Sequence, residues 1–173
     1  YDPQKKVALI VDEWGGWYDV EPGTNPGFLY QQNTMRDAMI AGMTLNIFNN
    51  HADRVRGANL AQIVNVLQAV ILTEGEKMLL TPTYYVMKMY NVHQDALRVP
   101  IHLETQNYTF EGRSVPAVSA SASKKDGSLN ISLTNIDYAK PQEVTISLRG
   151  ENYSRVTGQI LASGSVLDHN TFD

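Results

Sequence analysis

The stretch VALIVDEWGGWY at residues 7–18 carries the strongest indication of the fold. Its apolar run 7–11 is typical of a strand that is buried on both faces, as strands of parallel sheets are. The run stops at two carboxylates, Asp12 and Glu13, which aromatic residues and glycines follow. Barrel enzymes place catalytic groups at the carboxyl ends of such strands. If the strand continues regularly, the two carboxylates point to opposite faces, so only one can face a substrate.

The composition limits the classes of partner. The chain has 173 residues, a formal net charge of −4 and no basic cluster, which argues against nucleic acid as a partner. Without cysteine it has no disulfides, thiolate metal sites or cysteine nucleophiles. No His-x-His or His-x-x-x-His pair occurs among its histidines, so we expect no metal site and no cofactor: His51, His93, His102 and His169.

No membrane-spanning segment and no signal peptide are visible in the sequence, so we expect no membrane partner. Because we expect the true amino terminus to be missing, the compartment stays open between secreted, periplasmic and cytoplasmic.

The first half predicts alternating strands and helices. A loop rich in Gly and Pro covers 19–32, and a helix follows over 34–49, with Thr34 and Asp37 as a capping box. Large apolar residues recur along this helix at i, i+4 spacing among small ones, which predicts close packing on a sheet: Met35, Met39, Met43 and Ile47. We also expect a strand at 54–60, an exposed turn at 74–76 and a second helix that starts at Thr81-Pro82.

From about residue 97 the pattern changes to that of an antiparallel β domain. Apolar and polar residues alternate strictly over 129–134 and 144–148, as in strands with one buried and one solvated face. Lys-Asp-Gly-Ser at 125–128 predicts a hairpin turn. The sequence therefore predicts an α/β part over 1–96 and an antiparallel β-sandwich over 97–173.

Two motifs resemble those of glycoside hydrolase family 51, mostly α-L-arabinofuranosidases. Residues 12–18 resemble the motif Asp-Glu-Trp-x-x-Trp-Tyr, whose Glu is the nucleophile on strand seven of a (β/α)8 barrel and whose second Trp lines the sugar subsite. The resemblance assigns these roles to Glu13 and Trp17. The segment from His51 resembles the family's strand eight and the loop after it, in which a Gln that matches Gln62 contacts the sugar.

The resemblance implies a fold of class α/β plus all-β. Residues 1–96 would be the last two β/α units of a (β/α)8 TIM barrel, and 97–173 the antiparallel β-sandwich that follows it. It also implies a retaining enzyme that removes α-L-arabinofuranosyl residues from polysaccharides and oligosaccharides through a covalent intermediate. The partners implied are arabinose-containing glycans, the missing amino-terminal part of the same enzyme, and further copies in a homo-oligomer.

The acid/base residue of the family has no counterpart here. In the family it is the Glu of an Asn-Glu pair on strand four, and this sequence contains no Asn-Glu dipeptide. The remaining glutamates of the first half, Glu21, Glu74 and Glu76, stand in other contexts. Because a complete barrel needs about 250 residues, we expect this chain to be a piece of a larger enzyme that is inactive by itself.

Two other functions fit parts of the sequence. One is an endo-glucanase of the same family, which the nucleophile motif does not distinguish from an arabinofuranosidase. The other is a non-catalytic carbohydrate-binding module, which would use exposed aromatic residues of the β half: Tyr108, Phe110, Tyr138 and Tyr153. A binding module leaves the motif around Glu13 unexplained.

Overall fold

The computed structural model describes residues 2–173. Its elements, in chain order, are β1 (Leu9–Trp14), α1 (Met35–Asn50), β2 (Val55–Leu60), β3 (Ile71–Glu74), β4 (Lys77–Leu80), α2 (Pro82–Tyr90), β5 (Leu97–Val99), β6 (Asn107–Phe110), β7 (Arg113–Pro116), β8 (Val118–Lys125) and β9 (Ser128–Asn135). Among residues 2–173, the helices lack the combination of length and hydropathy that a bilayer-spanning helix requires.

Strands β1 and β2 form a parallel pair that α1 connects, which confirms the β-α-β order predicted for the first half. The expectation that β1 is buried on both faces is wrong for the described chain. Leu9 is 48% exposed and Ile10 is 49% exposed. A parallel strand becomes buried only when other strands and helices cover both of its faces, and here β1 has a single neighbour.

Helix α1 begins where the capping signal placed it. The Asp37 carboxylate accepts a hydrogen bond from the Thr34 backbone N–H at 2.8 Å, which secures the first turn. The face that is buried most tightly consists of small or polar residues rather than methionines: Asp37, Ala38, Ala41, Gly42 and Asn46. Small side chains allow other elements to approach the helix axis closely, and the methionines predicted to pack on the sheet lie half-buried at the sides.

A hairpin that the sequence did not predict precedes α2. The expected turn at 74–76 exists, but it joins the short antiparallel strands β3 and β4. Gly75 adopts a φ of +58°, a conformation that glycine reaches without strain. Leu72 and Leu79, one from each strand, pack with Ala69 in a small core. Helix α2 then starts at Pro82 with Thr81 as its N-cap, as predicted.

The second half is antiparallel, as expected. Strands β5, β8 and β9 form one sheet, and β6 and β7 form a separate hairpin. Strands β8 and β9 are joined by Asp126 and Gly127, which have φ values of +49° and +77°. Positive φ at both central positions is the geometry that Asp-Gly favours in tight hairpins, so the predicted turn is confirmed.

The strand predicted at 144–148 does not form. Its three apolar residues are 39–53% exposed, and the described segment 136–173 contains neither strand nor helix: Val144, Ile146 and Leu148. Alternation of apolar and polar residues makes a strand possible, but a strand also needs a neighbour for its backbone hydrogen bonds. Within residues 2–173, no strand pairs with this segment.

The carboxyl-terminal segment returns to the first half and completes the N-terminus of α1. The backbone N–H of Met35 donates to the carbonyl of Asp168 at 2.9 Å, and that of Arg36 to the carbonyl of Val166 at 2.8 Å. These N–H groups have no partner within the helix, so the returning chain satisfies them. Phe172 also packs against the core of the β3–β4 hairpin.

A buried asparagine joins the helices to the sheet of the second half. The Asn46 side chain is fully buried, and its Oδ1 accepts hydrogen bonds from Tyr90 Oη at 2.9 Å and from Ser121 Oγ at 2.7 Å. Burial raises the pKa of Tyr90, so its hydroxyl stays protonated and able to donate. One carboxamide therefore connects α1 with both α2 and β8.

His93 ties the segment after α2 to the same sheet. Its Nδ1 lies 2.7 Å from Ser123 Oγ, and its Nε2 lies 2.8 Å from Ser132 Oγ. Burial lowers the pKa of His93 below its ordinary value of 6.5. The folded protein therefore holds this imidazole in its neutral form, with one serine on β8 and one on β9.

We expect Asn46→Ala to lower the free energy of unfolding by about 2–3 kcal/mol. The substitution removes the acceptor of the buried Ser121 hydroxyl and leaves the Tyr90 hydroxyl only the Gly42 carbonyl, 3.0 Å away. Chemical denaturation followed by circular dichroism measures this loss. The control is Asn50→Ala on the same helix, an exposed residue whose Nδ2 donates one hydrogen bond to the Ala120 carbonyl at 2.8 Å, and the loss should be about 1 kcal/mol or less. Equal losses for both variants would contradict a central role for Asn46.

We expect His93 to make stability depend on pH. Because its pKa is lower in the folded than in the unfolded chain, the stability that neutral His93 contributes is present above pH 6.5 and is lost as pH falls through the folded value. Thermal unfolding between about pH 7.5 and 5 should show a smaller decline for His93→Gln than for the wild type. The control, His102→Gln, changes a side chain that is 87% exposed and should keep the wild-type pH dependence.

Candidate active site

The residues that the sequence selected lie at one edge of the parallel pair. Trp14 is paired with Leu60, so β1 and β2 end side by side. Glu13 directly precedes Trp14, and Gln62 follows Leu60 by two positions. Adjacent strands are about 4.8 Å apart, so the backbone segments that carry Glu13 and Gln62 end next to each other.

The register of the pair shifts at the two carboxylates. Val11 is paired with Ala58 and Trp14 with Leu60, so Asp12 and Glu13 together stand opposite the single residue Asn59. This count is that of a β-bulge, a feature that redirects side chains and occurs often beside active sites. The regular pairing that the expected alternation of Asp12 and Glu13 requires is therefore interrupted here, and both side chains are exposed.

Trp14 and Trp17, three positions apart, have different environments. The ring of Trp14 meets Phe48 of α1 edge to face, with centroids 5.5 Å apart, and packs against the core between the helices. The side chain of Trp17 is 69% exposed. Trp14 thus anchors the end of β1 to α1, whereas the Trp17 side chain is exposed.

Both backbone neighbours of Trp17 are held by buried glutamines. The Gly16 carbonyl accepts a hydrogen bond from Gln68 Nε2 at 3.0 Å. The Tyr18 carbonyl accepts one from the Nε2 of Gln31. The Arg36 guanidinium also lies 3.5 Å above the centroid of the Tyr18 ring, in cation–π geometry. The exposed Trp17 side chain therefore stands on a backbone that is fixed on both sides.

Gln62 lies at the start of the loop after β2. Its side chain is exposed, its backbone N–H donates to the Leu67 carbonyl at 2.6 Å, and the peptide bond that joins it to Ala61 is cis. Farther along, Asn65 binds Thr73 of β3 through two hydrogen bonds of 2.7 and 2.8 Å. The loop that carries Gln62 is thus anchored to the β3–β4 hairpin.

The other glutamates of the first half lie in the 19–32 loop and at the turn of the β3–β4 hairpin. The Glu21 carboxylate accepts a hydrogen bond from the backbone N–H of Gln32 at 2.9 Å and so closes the 19–32 loop. Glu74 and Glu76 border the turn of the β3–β4 hairpin. Within residues 2–173, no group of three or more histidines, aspartates and glutamates is arranged to hold a metal ion.

Sequence reasoning missed the residues that support the site. Gln31 belongs to the predicted 19–32 loop and Gln68 to a stretch for which we made no prediction, yet both are 1–3% exposed. Asp37 was identified as a helix cap, although its other oxygen accepts from Gln68. The signal that could have found Gln68 is its place in the otherwise apolar run 66–72, where an unpartnered amide would be costly.

The family model that describes the α-L-arabinofuranosidase C-terminal domain matches residues 12–173. The chain belongs to this family. The match begins at Asp12, the first residue of the motif that contains Glu13, and the resemblance to glycoside hydrolase family 51 is confirmed.

Curated relatives of this chain are named as arabinofuranosidases. An intracellular exo-α-L-arabinofuranosidase from Bacteroides ovatus is 52% identical over 175 residues, which cover 100% of this chain and 34% of the relative. An intracellular exo-α-(1→5)-L-arabinofuranosidase from Bacillus subtilis (strain 168) is 29% identical, with 96% of this chain and 34% of the relative covered. The chain thus spans about a third of the length of these relatives.

Solved structures that resemble this chain are also those of family 51 arabinofuranosidases. The crystal structure of the family 51 arabinofuranosidase from Xanthomonas axonopodis pv. citri matches with a TM-score of 0.78 and 58% identity, over 81% of this chain and 29% of that one. A family 51 α-L-arabinofuranosidase from Bifidobacterium longum matches with a TM-score of 0.79 and 27% identity, over 95% of this chain and 35% of that one.

Proposed function

We propose that this chain supplies the nucleophile of a retaining glycosidase that removes α-L-arabinofuranosyl residues from arabinose-containing polysaccharides and oligosaccharides. The observation that carries the proposal is the position of the 12–18 motif. Glu13 lies at the end of a parallel strand, beside the strand that leads to Gln62. The names of relatives at 52% and 29% identity support this substrate class.

In the proposed mechanism the Glu13 carboxylate attacks the anomeric carbon, and the glycosidic bond to the leaving oxygen breaks. A second carboxyl group, about 5–5.5 Å from the first in retaining enzymes, protonates that oxygen. The same group then takes a proton from water, which attacks the glycosyl-enzyme and releases Glu13 and arabinose. These two carboxyl groups complete the reaction without a cofactor, and we place the second one outside residues 1–173.

Trp17 and Gln62 would bind the sugar on either side of this carboxylate. An exposed indole gives a furanose ring an apolar surface, and its fixed backbone keeps that surface in place. The Gln62 carboxamide can donate to and accept from ring hydroxyls. Contacts of this kind that strengthen toward the transition state contribute several kcal/mol.

We propose that residues 1–96 are the last two β/α units of a (β/α)8 barrel and that 97–173 belong to a β-sandwich packed against it. The exposed apolar residues of β1 and of the segment just before it support this arrangement, since neighbouring barrel strands would cover them: Val7, Leu9 and Ile10. The partners proposed are the remainder of the same enzyme, arabinose-containing glycans, and further copies of the enzyme in a homo-oligomer.

Replacing Glu13 with Gln in the intact enzyme should lower kcat/KM on an aryl α-L-arabinofuranoside roughly 10³-fold or more, because the amide is no nucleophile. A continuous release assay measures this loss. The control Glu76→Gln changes a carboxylate in the exposed hairpin turn and should leave the rate unchanged. Full activity of Glu13→Gln, as expected if the chain were only a binding module, would refute the proposed role.

Trp17→Ala should leave the melting temperature unchanged, because its side chain is 69% exposed. It should lower kcat/KM about 10- to 100-fold, since contact of a large apolar side chain contributes roughly 1.5–3 kcal/mol. The matched control is Tyr138→Ala, which removes an aromatic ring that is 62% exposed in the β half. If Tyr138→Ala weakened the enzyme and Trp17→Ala did not, sugar binding would belong to the β half instead.

A further inference from the structure

Gln68 joins three parts of the chain from a buried position. It is 1% exposed, and its Nε2 donates to the Gly16 carbonyl at 3.0 Å and to Asp37 Oδ1 at 2.8 Å. We propose that Gln68, held by Asp37, is a positioning residue that sets the backbone between Glu13 and Trp17. This inference rests on the proposed function, since it assigns Gln68 a role in that reaction.

The orientation of the Gln68 amide follows from its partners. Both the Gly16 carbonyl and the Asp37 carboxylate are acceptors, so only the nitrogen end of the amide can bind them. The opposite orientation would place an oxygen against two oxygens. Gln68 therefore acts as a double donor that links the segment after β1 to the first turn of α1.

Shape adds a second constraint to these hydrogen bonds. A Cβ built at Gly15 would lie 2.4 Å from Gln68 Cγ, and Gly15 itself adopts a φ of +128°. A side chain at this position would therefore both clash and be strained. The methylene groups of Gln68 thus pack directly on the backbone two residues beyond Glu13, and the glycine allows this approach.

Asp37 gives Gln68 a rigid support. The Asp37 side chain is 1% exposed, and its second oxygen, Oδ2, accepts from the Thr34 backbone N–H at 2.8 Å. A carboxylate in the first turn of a helix also interacts favourably with the helix dipole. Since α1 is fixed to α2 and β8 through Asn46, the position of Gly16 depends on the packing of the whole helix.

Rigid placement here matters for the proposed chemistry. The reacting carboxylate and the sugar-binding indole lie on either side of Gly15 and Gly16. A misplacement of about 1 Å in a catalytic constellation can lower the rate by about 100-fold. Gln68 itself is buried below the site, so we assign it a role that acts through Glu13 and Trp17.

Two variants of the intact enzyme separate positioning from simple stabilisation. Gln68→Met keeps the volume and removes both hydrogen bonds. The second variant exchanges the two side chains, with Asp37→Asn and Gln68→Glu in one protein. It keeps one buried carboxylate. It also keeps a hydrogen bond between positions 37 and 68, because the new amide at 37 can donate to the new carboxylate at 68. The exchange does not restore the donor to the Gly16 carbonyl.

We expect Gln68→Met to lower kcat/KM about 10- to 100-fold and to lower the melting temperature. The exchange restores a bond between positions 37 and 68 but leaves a carboxylate oxygen facing the Gly16 carbonyl, so it should recover only part of the melting temperature while kcat/KM stays low. Gln94→Met, at an exposed glutamine, is the control and should match the wild type in both measurements. Activity is expressed per folded enzyme, from the circular dichroism of the same samples.

Normal kcat/KM in folded Gln68→Met would overturn the inference, and so would an exchange variant that recovers both stability and kcat/KM. If the exchange variant does not fold, Gln68→Met alone decides. The Glu13→Gln measurement separates this inference from the proposed function. If Glu13→Gln is inactive but Gln68→Met has normal activity, only the role of Gln68 is refuted. If Glu13→Gln is active, the proposed function itself is refuted.

Discussion

The fold depends on one buried carboxamide, that of Asn46. Its Oδ1 accepts from Tyr90 on α2 and from Ser121 on β8, and these bonds join elements that are far apart in the sequence. This buried acceptor is costly to remove, because the Ser121 hydroxyl would lose its partner without gaining water and the Tyr90 hydroxyl would keep only the Gly42 carbonyl. Helix α1 is therefore fixed in position and in rotation about its axis. The geometry at its N-terminus follows from that constraint.

The N-terminus of α1 transmits this rigidity to the candidate active site. The returning carboxyl-terminal segment satisfies the first N–H groups of the helix, and Asp37 connects the first turn to Gln68. Gln68 holds the Gly16 carbonyl, one residue before Trp17. The same chain of hydrogen bonds thus supports both the stability of the fold and the proposed catalysis. Residues without a chemical role in the reaction determine where the proposed nucleophile and the sugar-binding indole lie.

Sequence reasoning succeeded where local signals are sufficient. The capping box at Thr34, the N-cap at Thr81 and the Asp-Gly turn at 126–127 each rest on contacts between residues close in the chain. Sequence reasoning failed where an element forms only if another strand pairs with it. The alternating residues 144–148 form no strand, since no other strand pairs with them in the described chain. The β3–β4 hairpin was missed because its strands are only four residues each, too short for a periodic pattern.

The sequence by itself determined the family, the parallel strand that contains Asp12 and Glu13 near its carboxyl end, and the residues Trp17 and Gln62 as site candidates. These conclusions depend on residue types and on short spacings along the chain, both of which can be read from the sequence. Only the tertiary structure decided that Asp12 and Glu13 share a register shift opposite Asn59, and that Gln68 and Asp37 support the site. Strand register and buried hydrogen bonds join residues separated by tens of positions, and their partners become known only once the chain has folded.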